Sequence, residues 1–246
     1  MEPAARRLPA LSGTGLKLIA CASMLLDHIG ASCLETGLLA GYYAGAAPAQ
    51  PFLLALDRVL RLAGRLAFPL YCFLLAEGFC HTRSAGRYLL RLLGFALISE
   101  VPFDLAFFGT PLYAPYQNVY FTLALGLLCL MLLHRCETLP AAKRLPAQAA
   151  ALAACCAAAV LLRTDYDWFG VALIAVLYLL RRDPGRRLAA GCLMTLWEAP
   201  APLAFLPIAC YSGRRGRCPG WARYAFYAFY PAHLVVLAAV TLLVLR

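Results

Sequence analysis

The fold class this sequence predicts is an all-α, polytopic integral membrane bundle, and three observations predict it. Hydrophobic residues make up 63% of the 246 and charged residues 14%, with a mean hydropathy of +0.73, whereas soluble domains are about half apolar and a quarter charged. The apolar residues gather in runs near the 20 or so that a helix needs to cross roughly 30 Å of hydrocarbon. Lys and Arg gather at the ends of those runs, so the net charge of +10 reflects topology rather than affinity for nucleic acid. Composition this apolar excludes a disordered chain. Nothing marks a linker or a second, water-facing unit, so residues 1–246 are expected to form one membrane-embedded domain.

Spans are expected near residues 16–36, 63–81, 86–107, 119–135, 146–163, 168–180 and 222–245. The first contains Leu18-Ile19-Ala20-Cys21, a string like a lipoprotein cleavage site. Pro9, Gly13 and Lys17 precede it instead of an apolar core, so the span is expected to stay in the protein. Between the first two runs, residues 51–62 predict either an amphipathic surface helix or a functional basic group, since Arg58, Arg61 and Arg65 lie together there. Pro102 is expected to open the third span, and Gln117 with Asn118 to begin the fourth, by capping it or by polarising a carbonyl. Residues 188–211 are long enough for one span, but Pro200, Pro202 and Pro207 divide them. Arg181, Arg182, Arg186 and Arg187 precede that stretch and Arg214, Arg215, Arg217 and Arg223 follow it, which favours a hairpin of two short helices with both feet on the cytoplasmic side. About nine spans result, seven long ones plus the hairpin. Arg6, Arg7, Lys17, Arg83, Arg87, Arg91, Arg135, Lys143 and Arg144 then put the N-terminus in the cytoplasm, and Arg58, Arg61, Arg65, Arg163 and Arg246 are the exceptions. The 11 Cys are odd in number, lie mostly in apolar runs and lack zinc spacing, so they predict reduced hydrophobes and no metal.

Ionisable side chains within spans cost about 2.5 kcal/mol or more each and usually face a cavity or a partner. Asp27, His28, Glu77, Glu100, Asp104, Glu198 and His233 are of this kind. Lys17 and His28 are eleven positions apart, about three helical turns and roughly 16 Å on one face. A cation at the membrane surface and an imidazole deeper on the same face suit an anionic cofactor with a reactive tail, the shape of coenzyme A. Histidine is the natural proton acceptor near neutral pH. Asp27 points about 100° away from His28, so its expected partner is Arg65 or another helix, and both residues admit the alternative of simply holding helices together. His81 with Arg83, Arg87 and Arg91 forms a basic cluster that serves either phosphate binding or topology. Glu100 and Asp104 either receive an amine acceptor or pair with Arg65. His233, two residues after Pro231, either orients a substrate or satisfies carbonyls that the proline frees. Tyr224, Phe226, Tyr227, Phe229 and Tyr230 form an expected interfacial belt.

Six blocks in order carry a resemblance: DHIG at 27–30, GRLAFPLYCFLLAEGFCHTR at 64–83, YLLRLLGFALISEVPFD at 88–104, QNVYFTLALG at 117–126, DYDWFGVALI at 165–174 and FYAFYPAHL at 226–234. They resemble the TraX family, named for a conjugation protein that acetylates the N-terminus of a pilus subunit. Its fold is similar to that of the wider transmembrane acyltransferases. In membrane acyltransferase family three a basic residue, ten intervening residues and a histidine form the first-span motif, which Lys17 and His28 match; Arg58 and Arg61 have the form of its Arg-x-x-Arg motif. Ser212 stands where the TraX pattern has Asn before Gly, and Asp167 where a Gly often follows Asp-Tyr.

What the resemblance implies, joined to the spacing, is an acyl-CoA-dependent O- or N-acetyltransferase in the bacterial inner membrane. Acetyl-CoA is the expected donor, and a pilin N-terminus, a glycan or a small amine the expected acceptor. Catalysis is assigned to His28, as general base or transient acyl carrier, with Asp27. Coenzyme phosphates are assigned to Lys17, Arg83, Arg87 and Arg91, and the substrate to Arg65, Glu77, Glu100, Asp104, Asn118 and His233. The alternatives are a proton-coupled transporter or channel, for which the expected inverted repeats are not visible, and a non-catalytic scaffold of a conjugation or secretion system.

Overall fold

A computed structural model of the chain describes residues 10–216 and 218–245, which are helical throughout apart from connecting turns and two isolated backbone bridges. Arg6, Arg7, Arg217 and Arg246 lie outside the described residues, as does the side chain of Arg223. Helix α1 (Gly13–His28) starts where the Ser12 hydroxyl accepts from the Gly15 amide. It continues as a wider π-helical stretch, Ile29–Leu38. After the single turn of α2 (Ala40–Tyr43), α3 (Pro51–Gly64) and α4 (Ala67–His81) follow one another with only a short break. Ser84 and Asn118 cap α5 (Ala85–Phe108) and α6 (Val119–Cys136) with their side chains. The remaining helices are α7 (Ala141–Leu162), α8 (Asp167–Leu179), α9 (Pro184–Met194), α10 (Phe205–Ala209) and α11 (Ala222–Val240), the last ending in a π turn, Thr241–Leu245.

Among the described residues, five helical stretches are long and apolar enough to cross a membrane: Gly13–Leu38, Pro51–His81, Val119–Cys136, Ala141–Leu162 and Tyr224–Leu245. The expectation of seven long spans differs for physical reasons. The run at 63–81 is joined by the helix before it into one stretch of 31 residues, about 46 Å and longer than the hydrocarbon is thick. The run at 168–180 is a shorter apolar helix. The run at 86–107 is a full-length helix that carries Arg87, Arg91, Glu100 and Asp104. It continues past Pro102 without ending there, and the proline, lacking an N–H, frees the Ile98 carbonyl within an otherwise unbroken helix.

Helix α4 sits at the centre, with Phe68, Leu70, Cys72, Phe73, Leu75 and Ala76 buried against α1, α6 and α8. Helix α7 is its opposite: of 22 residues, half of them Ala, only Cys155 and Ala159 are buried, so it lies on the rim and offers its flank to lipid. Helix α3 is inverted relative to a soluble amphipathic helix. Phe52, Leu56, Val59 and Leu62 face outward while Asp57 and Arg61 face α1. Two glycines permit that close approach. A Cβ on Gly30 would meet Arg61 Cδ at 3.0 Å, and one on Gly64 would fall inside the Asp27 side chain.

The stretch 188–211, expected as a hairpin of two short helices, folds back on itself through the end of α9, two short 3-10 turns and the five-residue α10, and it is not among the stretches long and apolar enough to cross a membrane. Its feet converge on one ring: the Arg187 guanidinium lies 4.3 Å from the Phe73 centroid and the Tyr211 ring 5.4 Å from it. The returning foot is stitched to the start of α1, with Leu11 N–H donating to Cys210 O and Gly13 N–H to Arg214 O. Between the feet, the tip at Glu198 reaches Arg65 at 3.0 Å. The bundle therefore has a basic end, with Lys17, Arg187, Arg214 and the α6–α7 turn, whose Glu137 pairs with Arg181, and a far end, where the α5–α6 loop meets the α7–α8 turn.

At the far end, Tyr116 OH donates to Asp165 at 2.8 Å in the turn between α7 and α8. Burial pushes Asp165 up from 3.8 to about 6, and the Tyr116 bond only partly opposes it. A carboxyl raised in the folded state favours the protonated chain. Its stabilising contribution is therefore complete below 3.8 and is lost as pH rises through about 6. The Asp165→Asn protein is expected to lose that fall in thermal stability between about pH 4 and pH 7. An unchanged pH profile of unfolding would contradict the assignment.

Candidate functional site

His28 lies at the last residue of α1, and α11 brings a second histidine to it from 205 positions away: His28 Nδ1 and His233 Nε2 are 2.6 Å apart. The rings are nearly parallel, 16° apart, with centroids 4.9 Å apart. Nitrogens much closer than the centroids mean an edge-to-edge contact close to one plane, the geometry of a hydrogen bond rather than of face-to-face stacking. Phe107 and Tyr230 stand edge-on to His28, at 5.2 and 5.7 Å between centroids, as apolar walls. His233 Nδ1 contacts Phe229 O at 2.6 Å. Of the two expectations for His233, carbonyl satisfaction is thus partly realised, though not at the carbonyl that Pro231 frees. That one, Tyr227 O, accepts from the Tyr120 hydroxyl at 2.9 Å.

Lys17 leans on the same helix. Its ammonium sits 5.4 Å from the centre of the Phe226 ring, and Phe226, Tyr230 and His233 follow one another at helical spacing on α11. Both ends of the Lys17–His28 pair therefore face α11. On the other flank of that helix, α5 sets Arg91 5.7 Å from the Tyr88 ring centre and Phe95 against Tyr227. Arg83 and Arg87 are exposed at the start of α5, and Arg91 Nε is buried with no hydrogen-bond partner among the described residues.

Asp27 turns away from His28, as the 100° step requires, and its partner is Arg61, not Arg65. Arg61 Nη1 lies 2.6 Å from Asp27 Oδ2, and Arg61 Nε 3.1 Å from Glu35. Arg61 is one turn earlier on α3 and faces α1, while Arg65 stands at the break after α3 and swings to Glu198. Glu35, Asp57, Arg58, Arg61, Arg65 and Glu198 line an open cleft of about 440 Å³ beside the Asp27–Arg61 pair. Trp197 lines this cleft and also a larger one, about 870 Å³, walled by Tyr116, Tyr166, Trp168 and Phe169.

The other expected substrate residues are not gathered here. Glu100 does not pair with Arg65; it accepts from the Asn118 side-chain amide. Asn118 caps α6 through Oδ1 and gives its remaining amide hydrogen to Ala96 O at 2.8 Å, so it has no donor left for a carbonyl. Asp104 accepts from Tyr113 N–H at 2.7 Å. Glu77 is at the basic end, paired with Arg187 at 2.6 Å and near His81 at 3.6 Å. Glu35 and Asp57 carry no motif; only their helical register relative to Asp27 and Arg61 hints at a shared face, and the π-helical stretch alters that register.

Comparison with known proteins gives two matches. The family model described as TraX protein matches residues 12–241. A curated relative, the "Probable fimbrial assembly protein FimC, serogroup H1" of Dichelobacter nodosus, is 32% identical over 260 aligned positions, covering 91% of this chain and 93% of the relative. No solved structure matches.

Proposed function

The chain belongs to the TraX family, and on that premise we propose that it is a membrane-embedded acetyltransferase serving fimbrial or pilus assembly. It takes the acetyl group from cytoplasmic acetyl-CoA and gives it to an amine or hydroxyl. The observation that carries this reading is the placement of Lys17 and His28 against one helix, with an imidazole partner at the deep end and cations on aromatic faces at the other. The basic end faces the cytoplasm in this reading, which puts the N-terminus inside and the protein in the inner membrane.

Each residue has a task. Lys17, with Arg83, Arg87 and Arg91, holds the coenzyme's phosphates, and the partnerless Arg91 Nε fits a role for an anion. His28 takes the proton from the acceptor N–H or O–H as that atom forms its bond to the thioester carbonyl. It returns a proton to the sulfur as the C–S bond breaks. In the variant with an acyl carrier, a His28 nitrogen itself forms and then breaks the bond to the acetyl carbon. Asp27 and Arg61 lock α3 onto α1 beside the base. Arg65 and the cleft it lines receive the acceptor. Glu77, Glu100, Asp104 and Asn118 use their hydrogen bonds within the protein and act as positioning residues.

The test is purified chain in lipid nanodiscs, given labelled acetyl-CoA and a peptide with a free N-terminus. Lys17→Ala is expected to raise the KM for acetyl-CoA about tenfold at similar kcat, the pattern of lost uniform binding. An unchanged KM would overturn the head-group assignment.

A further inference from the structure

The contact between the two histidines has a direction. Phe229 O is an acceptor only, so the His233 Nδ1 at 2.6 Å from it carries the proton. With one proton per ring, His233 Nε2 is left as a lone pair. It faces His28 Nδ1 at 2.6 Å, and that nitrogen must then be the donor. His28 Nε2 follows as the unprotonated nitrogen. We infer that His233 is a positioning residue that fixes the tautomer of His28, through the chain Phe229 C=O, His233, His28, and so presents His28 Nε2 as the base.

The backbone supplies the anchor. Phe229 and His233 are one turn apart on α11, and their rings lie face to face with centroids 4.8 Å apart, which holds the His233 side chain along its own helix. Tyr230 stands edge-on to both imidazoles, at 5.7 and 5.8 Å, so neither ring swings freely. A free histidine carries its proton on either nitrogen; here a carbonyl fixed in a helix decides for both rings. When His28 Nε2 accepts a proton from the acceptor group, the Nδ1–H bond to His233 is kept, so the ring stays oriented while it carries the charge and until it gives the proton to the leaving sulfur.

The inference rests on His28 being the base, yet the tautomer is readable without any reaction. With ¹⁵N-labelled histidine, the chain's four His are assigned by single substitution, and the natural protein in nanodiscs is expected to show protonated Nδ1 and bare Nε2 at His28. His233→Gln places an amide oxygen where Nε2 stood and is expected to keep both that tautomer and kcat within a few-fold. His233→Leu removes the acceptor and is expected to release the tautomer and lower kcat about 10²-fold, with KM for acetyl-CoA unmoved. A proton on His28 Nε2 in the natural chain, or a Leu variant that keeps tautomer and kcat, would overturn the relay. If the natural chain shows the expected tautomer but transfers no acetyl group, the proposed function fails while the relay stands.

Discussion

Replacing His28 by alanine is expected to lower the rate of acetyl transfer by about 10²–10⁴-fold, the usual contribution of a positioned acid–base group. If His28 is the acyl carrier instead, the loss reaches the upper part of that range, since the covalent route closes altogether. Stability is expected to change far less. Among the described residues His28 makes one side-chain hydrogen bond, to His233, and aromatic edge contacts with Phe107 and Tyr230. The ion pair that locks α1 to α3 belongs to its neighbour Asp27. Thermal unfolding in detergent read beside labelled-acetyl incorporation separates the two effects. A scaffold role predicts the opposite pattern, a lower unfolding temperature with acetylation intact.

The largest loss of stability is expected at the other end of the bundle. Arg187→Met is expected to destabilise the chain by about 3–5 kcal/mol, because it leaves the mostly buried Glu77 with only the exposed His81, 3.6 Å away, in place of a tight guanidinium. The pair is tight, 2.6 Å with side chains 8% and 17% exposed, and the guanidinium also covers the Phe73 ring that both feet of the hairpin touch. Removing both charges, as Arg187→Met with Glu77→Leu, is expected to recover most of the loss, since an apolar pair of similar volume often replaces a buried ion pair at little cost. Reversible unfolding of the two single variants and the double variant gives the coupling. A double variant as unstable as the sum of the two singles would contradict the pairing.

How far the sequence foretells this architecture depends on which forces set each part. The fourth span and its Asn118 cap are local events, written in an apolar run and the residue before it, and they form as expected. The fold-back at 188–211 is legible because arginines flank both sides and prolines divide the middle. The merging of α3 with α4 is not, since the two-residue turn at 65–66 falls inside the apolar run expected to begin at 63. Asp27 illustrates the same limit. Helical geometry correctly turns it away from His28, but choosing Arg61 over Arg65 requires knowing which face of α3 meets α1. That choice follows from the close approach at Gly30 and Gly64. The contact between His28 and His233 spans 205 positions and has no spacing signal at all. Glu77, Glu100 and Asp104 are acidic like Asp27 but lie elsewhere: Glu77 pairs with Arg187 on α9, Glu100 accepts from the Asn118 cap of α6, and Asp104 from the Tyr113 amide in the loop between α5 and α6.

The central claim is that the Lys17–His28 face of α1, closed by α11, handles the thioester. Its most direct measurement is the release of coenzyme A thiol from acetyl-CoA by the purified natural chain in nanodiscs, with the His28→Ala protein run alongside and the peptide acceptor present. Release that saturates with acetyl-CoA in the natural chain and collapses in the variant is the predicted result. Equal release by the two folded proteins, or none by the natural one, would contradict the account.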